Sequence, residues 1–460
     1  MKYNLSVKEF LQESKVGNID YSDFYSNLTE GAERLNKRYN LFQCVANINK
    51  MNGKPNLFGL PISVKDNICT KGLQSSAGSK ILDGYMPPFD ATSVVRIKNN
   101  GGAILGKTNQ DEFGFGTFSV NCGYAIPKNP LDPKRSCGGS SGGAAGLVAA
   151  LDFPHIALAE STGGSIYCPA AFCSVVGLTP TYGLVSRYGL IDFANSLDKI
   201  GAIGKSVYDA ALLLSTIAGH DQRDSTSIKM KSKDYTSHLD KRDLKGIKIG
   251  IPKEYFKSID GKIEKSVWRA IKKLESLGAT YQKISLPNTK YALSSYYIIA
   301  TAEASTNLAR YCGMRYGLHL KLEGNFDEYF SRVRSIGFGD EAKRRIMLGT
   351  FARMSGYREA YYLRAMKVRT LIINDFKKAF KKFDVLAAPT MPILPPKFTQ
   401  IAKLSPIEQY QMDTLTLPPN LAGIPMISIP CEKMIGLHLL GNHLQEEKIL
   451  QVANIFEGTK

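Results

Sequence analysis

An α/β fold in one domain, enlarged by a helical region, is what this sequence predicts, and three observations predict it. Between residues 41 and 205, short apolar runs alternate with glycine-rich turns and helical stretches. Residues 289–380 carry long helical runs with few turn signals. No internal repeat, low-complexity tract or Pro/Gly/Ser-rich linker divides the 460 residues. That length could hold two or three ordinary domains, but without a linker one domain, residues 1–460, is the simplest organisation.

The elements follow in order. Residues 6–38 read as two short amphipathic helices, with Asp20 and Ser22 as candidate caps, because short oxygen-bearing side chains satisfy the unpaired N–H groups of a first turn. Strands are expected at 62–64, 103–105 and 156–159, with helices at 94–100 and 144–151. Residues 207–219 read as a helix, 220–246 as a polar surface loop, 247–251 as a strand and 262–277 as a helix. The helical region includes 293–311, 340–353 and 357–380. Strands return at 385–388, 426–429 and 437–440, and 445–456 closes as a helix.

Composition excludes several classes. With 43% hydrophobic and 10% aromatic residues the chain can build a sizeable core. It contains no run of about 18 apolar residues that could span a bilayer, and Met1-Lys2-Tyr3-Asn4-Leu5 lacks the apolar stretch of a secretory signal. A cytoplasmic protein without membrane contact is expected. The 8 cysteines form no Cys-x-x-Cys pair, and the 6 histidines form no His-x-x-x-His pair. No metal site is expected, and the cysteines read as small buried hydrophobes of a reducing compartment. A net charge of +18 favours polyanions such as nucleic acid, although the charges are spread, with small clusters at 229–233, 240–248 and 377–382.

Four motifs invite chemistry. Gly101-Gly102-Ala103-Ile104-Leu105-Gly106-Lys107-Thr108 spells a P-loop, yet a helix precedes it and a strand runs through it, so a phosphate cradle is not expected. Gly138-Gly139-Ser140-Ser141-Gly142 spells a nucleophile elbow, but the proline-broken segment before it cannot be the central strand an elbow requires. The late histidines, His438 and His443, stand in no telling context. The same serines lie in a stretch with five glycines between 138 and 146, and Thr162-Gly163-Gly164-Ser165 follows. Glycines admit a close backbone approach, and serines beside such loops are the raw material of acyl transfer. Lys65, flanked by Ile62, Val64 and Ile68, is the candidate base, because an apolar surround favours the neutral amine and Ser–Lys catalysis needs no histidine. Which serine attacks stays open at this level.

These residues, with Gly59-Leu60-Pro61-Ile62-Ser63-Val64-Lys65-Asp66-Asn67 and Val185-Ser186-Arg187-Tyr188-Gly189-Leu190, closely resemble the amidase signature family. The likeness spans residues 20–456. It implies a central mixed sheet flanked by helices on both faces, with residues 289–380 contributing to the substrate pocket. It further implies Ser165 as nucleophile, Ser140 on a cis peptide as proton relay, Lys65 as base, and Thr162, Gly163 and Gly164 as oxyanion hole. Tyr296-Tyr297-Ile298-Ile299-Ala300, Lys343-Arg344-Arg345-Ile346 and Asp413 resemble the glutaminase subunits of tRNA-dependent amidotransferases. By that likeness Arg345 would grip the carboxylate of glutamine, Asp413 its ammonium, and Tyr296 would stand near the side-chain amide, with Arg344 competing for the first role.

The implied activity is glutamine hydrolysis to glutamate and ammonia, for transamidation of Glu-tRNA(Gln), Asp-tRNA(Asn) or both. The implied partners are a B subunit with kinase, transamidase and tRNA-binding roles and a small C subunit, with only peripheral tRNA contact here. ATP and Mg2+ would belong to the B subunit, and this chain would bind no cofactor. A stand-alone amidase for small amides and a non-enzymatic scaffold are the rival readings. The sequence also departs from the family pattern: Ser161 replaces an aspartate, Tyr167 an arginine and Cys137 a proline, and Ser140 and Ser165 lie 25 positions apart, one more than usual.

Overall fold

The computed structural model describes residues 3–48, 56–241 and 243–459. Met1 and Lys2, on which the expected absence of a leader partly rests, lie outside the described residues, as does Arg242 of the charged cluster 240–248.

Among the described residues, eleven strands form one sheet. They are β1 (Phe42–Val45), β2 (Pro61–Lys65), β3 (Ala103–Thr108), β4 (Ile156–Ser161), β5 (Val176–Thr179), β6 (Lys199–Gly204), β7 (Lys248–Pro252), β8 (Thr280–Ile284), β9 (Val385–Pro389), β10 (Met426–Glu432) and β11 (Ile435–Gly441). Their spatial order is β1-β3-β2-β4-β6-β5-β10-β11-β9-β7-β8. Strand β2 runs parallel to β3 and β4, and β7 parallel to β8 and β9. All other neighbours are antiparallel, so the sheet is mixed.

The helices before the helical region are α1 (Val7–Lys15), α2 (Tyr21–Tyr39), α3 (Thr92–Asn99), α4 (Gly142–Ala150), α5 (Tyr167–Phe172), α6 (Val207–Ile217) and α7 (Gly261–Ser276). Then come α8 (Ala292–Asn307), α9 (Phe326–Gly337), α10 (Asp340–Arg353) and α11 (Arg364–Ala379). Short α12 (Phe398–Ile401), α13 (Pro406–Gln411) and α14 (Leu417–Ala422) precede the closing α15 (Glu446–Glu457).

Helices cover both faces, and the strands show why. Side chains alternate along a strand, so successive residues enter different layers. Ile156 and Leu158 of β4 pack in one apolar cluster with residues of α1, α2, α6, α7 and α15. Ala157 and Ala159 pack in another, with residues of α8, α10, α11 and α14. Strand β9 repeats the division, Val385 and Ala387 against Leu386 and Ala388. Both layers are apolar, which buries the central strands completely. Small residues in the second layer leave room there for the helical region.

Some elements differ from expectation. Strands β1, β5, β6 and β8 and helices α5, α9, α12, α13 and α14 are additional. Ser22 is no cap; the Asp20 side chain accepts from the N–H groups of Ser22 and Asp23, and Ser6 caps α1 through a capping box with Glu9. The expected helix 357–380 begins as a π-helical turn, Glu359–Leu363, before α11. The polar stretch 220–246 has no regular element among its described residues, but Tyr235, Leu239 and Leu244 are buried and pin it to the core. No described helix is long and apolar enough to cross a membrane.

Candidate active site

The parallel trio β2, β3 and β4 ends along one edge of the sheet, the usual place for a ligand in such an arrangement. Lys65 is the last residue of β2 and is wholly buried. Its Nζ lies 2.8 Å from Ser140 Oγ, 2.9 Å from the Glu160 carbonyl and 3.0 Å from Glu160 Oε2. Glu160, from β4, is equally buried, and its Oε2 also accepts from Asn67 Nδ2 at 3.0 Å.

Ser140 belongs to the turn that leads into α4, and the Gly139–Ser140 peptide bond is cis. The turn is fastened on every side. Gly139 N–H donates to the Thr117 carbonyl at 2.7 Å, Asp111 N–H to the Ser140 carbonyl at 3.2 Å, and Ser119 Oγ to the Gly138 carbonyl at 2.8 Å. A Cβ on Gly139 would stand 2.3 Å from Asp111 Oδ2, so only glycine fits. That carboxyl accepts the N–H groups of Ser119 and Asn121 at 2.9 and 2.8 Å, yet burial pushes it up to about 7.

Ser165 lies in the short connection from β4 to α5 and is 5% exposed. Its carbonyl accepts the Ser141 N–H at 3.2 Å, which ties the two glycine-serine loops together. Among the described residues, the N–H groups of Thr162, Gly163, Gly164 and Ser165 donate to no protein acceptor, so this turn offers a run of unspent donors. Gly163 has no room for a side chain, since a Cβ would meet Leu417 Cδ2 at 2.8 Å and the Tyr296 hydroxyl at 3.0 Å.

That contact puts Tyr296 of α8 against the turn. Asp413, in the connection before α14, accepts from Thr117 Oγ1 at 3.0 Å and from the Tyr297 hydroxyl at 2.9 Å. Burial raises its carboxyl to about 6. Arg345 of α10 is buried; its Nε donates to Glu341 at 2.8 Å, and its guanidinium lies 5.0–5.5 Å from the rings of Phe115, Phe193, Tyr297 and Tyr410. The side chain of Arg344, by contrast, is 41% exposed and turns to the other oxygen of Glu341. The structure therefore joins Lys65 and Ser140 directly, sets Tyr296 against the turn that carries Ser165, and ties Asp413 to the same helix through Tyr297. Arg345 joins them through the shared ring of Tyr297.

Two of the departures from the family pattern, Ser161 and Tyr167, are accommodated. Ser161 Oγ donates to the Gly163 carbonyl at 3.0 Å and helps close the turn. Tyr167 is fully buried, with its hydroxyl on Thr179 Oγ1 and its ring 4.9 Å from that of His438. Burial pulls His438 down to about 3, and His443 bonds the Ala422 carbonyl. Neither histidine bonds Ser140 or Ser165. The P-loop lookalike is strand β3, whose buried Lys107 donates to the Ile68 carbonyl and to Ser75 Oγ. Among the described residues, no three His, Cys, Asp or Glu side chains are grouped to hold a metal.

Two residues of the site had escaped sequence reasoning. Glu160 carried a signal, as the one acid in the apolar run Ile156-Ala157-Leu158-Ala159-Glu160, because a charge inside a buried strand requires a buried partner. Asp198 carried none of its own, since Ser196-Leu197-Asp198 only extends the likeness to the family and gives the acid no role. It meets Thr162 Oγ1 at 2.8 Å, and burial, then the neighbouring Glu160 charge, raises it well above the carboxylate range.

Comparison with known proteins identifies the family. The amidase family model matches residues 7–450. The A subunit of glutamyl-tRNA(Gln) amidotransferase from Halothermothrix orenii is 48% identical, with 99% of this chain and 97% of that protein covered. The protein of the same name from Methanosarcina mazei is 51% identical, over 87% of this chain and 84% of its own. Among solved structures, the glutamyl-tRNA(Gln) amidotransferase A subunit of Thermotoga maritima superposes with a TM-score of 0.83 at 35% identity, covering 99% of this chain and 95% of that one. The peptide amidase of Stenotrophomonas maltophilia follows at a TM-score of 0.79 and 27% identity, covering 99% and 96%. On the match of nearly its whole length, and on relatives at about half identity, the chain belongs to the amidase family.

Proposed function

We propose that the chain is the glutamine-hydrolysing subunit of a tRNA-dependent amidotransferase, supplying ammonia for transamidation of Glu-tRNA(Gln), Asp-tRNA(Asn) or both. The observation that carries the chemistry is the 2.8 Å contact between buried Lys65 Nζ and Ser140 Oγ, beside a turn of unspent N–H donors that ends in Ser165. The relatives named as A subunits of glutamyl-tRNA(Gln) amidotransferase support the amidotransferase role, and glutamine is the amide this reading assigns to it.

In this reading Ser165 Oγ attacks the side-chain amide carbon of glutamine. Its proton passes to Ser140 Oγ as the Ser140 proton passes to Lys65 Nζ. The N–H groups of Thr162, Gly163, Gly164 and Ser165 receive the charge that develops on the carbonyl oxygen, a role typically worth roughly 3–4 kcal/mol per donor. The proton then returns through Ser140 to the nitrogen, the C–N bond breaks, and ammonia leaves a glutamyl ester for water to hydrolyse. Asp413, held by neutral hydroxyls, suits an ammonium, and Arg345 suits a carboxylate; a zwitterion needs one of each. Tyr296 bounds the amide end.

A B subunit would bind ATP, Mg2+ and most of the tRNA, and a small C subunit would complete the complex. The +18 charge suits peripheral contact with tRNA, and eight free thiols suit the cytoplasm. Ammonia release from glutamine by the purified complex is the test. Ser165→Ala should abolish it. Full release by that variant, or none by the wild type, contradicts the proposal. Simple amides turned over equally well by Asp413→Ala would favour a stand-alone amidase instead.

A further inference from the structure

One residue holds Lys65 through two different atoms. The Glu160 carbonyl and Glu160 Oε2 lie 2.9 and 3.0 Å from Nζ, and Ser140 Oγ, at 2.8 Å, is the third neighbour. A neutral amine has two N–H groups and one lone pair in tetrahedral array. With both N–H groups engaged by Glu160, the lone pair is left facing the Ser140 hydroxyl. A proton arriving from Ser140 makes an ammonium whose three N–H groups meet the same three oxygens, one of them a carboxylate. No side chain has to move between the two states.

Glu160 is in turn tied to a second acid. Thr162 Oγ1 stands 2.8 Å from Glu160 Oε1 and 2.8 Å from Asp198 Oδ1. A hydroxyl has one proton and donates to only one of those oxygens, so the other contact needs a proton on the acid. The two carboxyls therefore hold one proton between them. Burial and the neighbouring Glu160 charge favour that proton on Asp198, while the N–H groups of Phe193 and Ala194, at 3.0–3.1 Å, oppose it, so the proton is divided between the two acids and Glu160 carries less than a full charge.

We propose that Glu160 is the positioning residue for Lys65, and that the Glu160–Thr162–Asp198 chain, by sharing one proton, keeps Lys65 from being held as a permanent ammonium. The inference deepens the Ser165–Ser140–Lys65 reading and rests on it. As Ser165 attacks, the Ser140 O–H bond breaks while the Lys65 N–H bond forms, and the charge gained on Nζ is matched by the Glu160 carboxylate. On collapse that proton goes back through Ser140 to the leaving nitrogen, and Lys65 is neutral again. An acid that orients a base and compensates its transient charge is what aspartate supplies to histidine in Ser-His-Asp enzymes. The other titratable groups in reach are Asp111 beneath Ser140 and Tyr296 from α8, with Asp192, Arg187 and Tyr182 behind Asp198. None of these is altered in the test.

The test is the pH–rate profile of ammonia release from glutamine by the complex, for wild type, Glu160→Gln and Thr162→Val. In Glu160→Gln, kcat should fall on the order of 100-fold with little change in KM. Its acid limb should also move to lower pH by about one unit, because the charge that favoured the ammonium is gone. In Thr162→Val, which keeps the backbone N–H but frees Glu160 from proton sharing, the acid limb should move about one unit higher. Opposite shifts support the proposal. A uniform loss at every pH, or limbs that move together, overturns it. If Glu160→Gln is insoluble, the direction of the Thr162→Val shift decides alone. An inactive wild type overturns the glutaminase reading and this inference together. An active wild type with inactive Ser165→Ala and unmoved limbs overturns this inference only.

Discussion

At the sheet edge, Lys65 donates to Glu160 at 3.0 Å, whereas Asp413, on the helical side, is held by the hydroxyls of Thr117 and Tyr297 and by no cation among the described residues. Both regions are buried, so the difference is one of purpose and not of exposure. A buried charge is expensive unless it is paired. A closed pair suits a proton that moves only within the protein. An open carboxylate, raised to about 6, suits a cation brought by a ligand. Arg345 stands between these cases, giving Nε to Glu341 while its guanidinium lies among four aromatic rings.

The sharpest way to break this division is to remove its closed half. Lys65→Met should leave Glu160 without its amine donor and cut glutamine hydrolysis by about 1,000-fold or more, while a thermal melt shows whether the fold survives. Next comes the open half. Asp413→Ala should raise KM for glutamine at least about tenfold and spare small amides that lack an ammonium; equal effects on both would erase the distinction.

pH sharpens the comparison further. Asp413 is neutral below about 6 and ionised above it, so KM for glutamine should rise as pH falls through that value. For stability the sign is the reverse. A carboxyl raised in the folded state contributes stability that is fully present below its unfolded value near 3.9 and is lost as pH rises through about 6. Asp413→Asn should flatten that part of the stability profile. The smallest expected effect lies outside both regions. Asn325 caps α9 through a capping box with Glu328, and Asn325→Ala should cost about 1 kcal/mol of stability with unchanged kinetics.

What the sequence disclosed follows the same division. Strands β2, β3 and β4 were legible because they are apolar runs between turns. Strand β6, Lys199-Ile200-Gly201-Ala202-Ile203-Gly204, was not, because its glycines fit where neighbours press close; a Cβ on Gly201 would lie 2.2 Å from the Leu178 carbonyl. Edge strand β8 is largely solvent-facing and lacks an apolar signature. In the site, residue types and glycine spacing pointed to Lys65 and the two serine loops, but the order of Ser140 and Ser165 came only from family resemblance. The pairing of Lys65 with Glu160 spans 95 positions and depends on β2 lying beside β4. No local pattern encodes such a neighbour. Asp198 reaches the same cluster from the chain leading into β6, which was itself unread.

The claim on which everything turns is that Ser165, and not Ser140, attacks. Treating the active complex with a serine-reactive glutamine analogue and mapping the adduct by mass spectrometry tests it directly. A single adduct is expected on Ser165, absent from Ser165→Ala and still formed, more slowly, in Glu160→Gln. An adduct on Ser140, or labelling of Ser165→Ala at the wild-type rate, would contradict it.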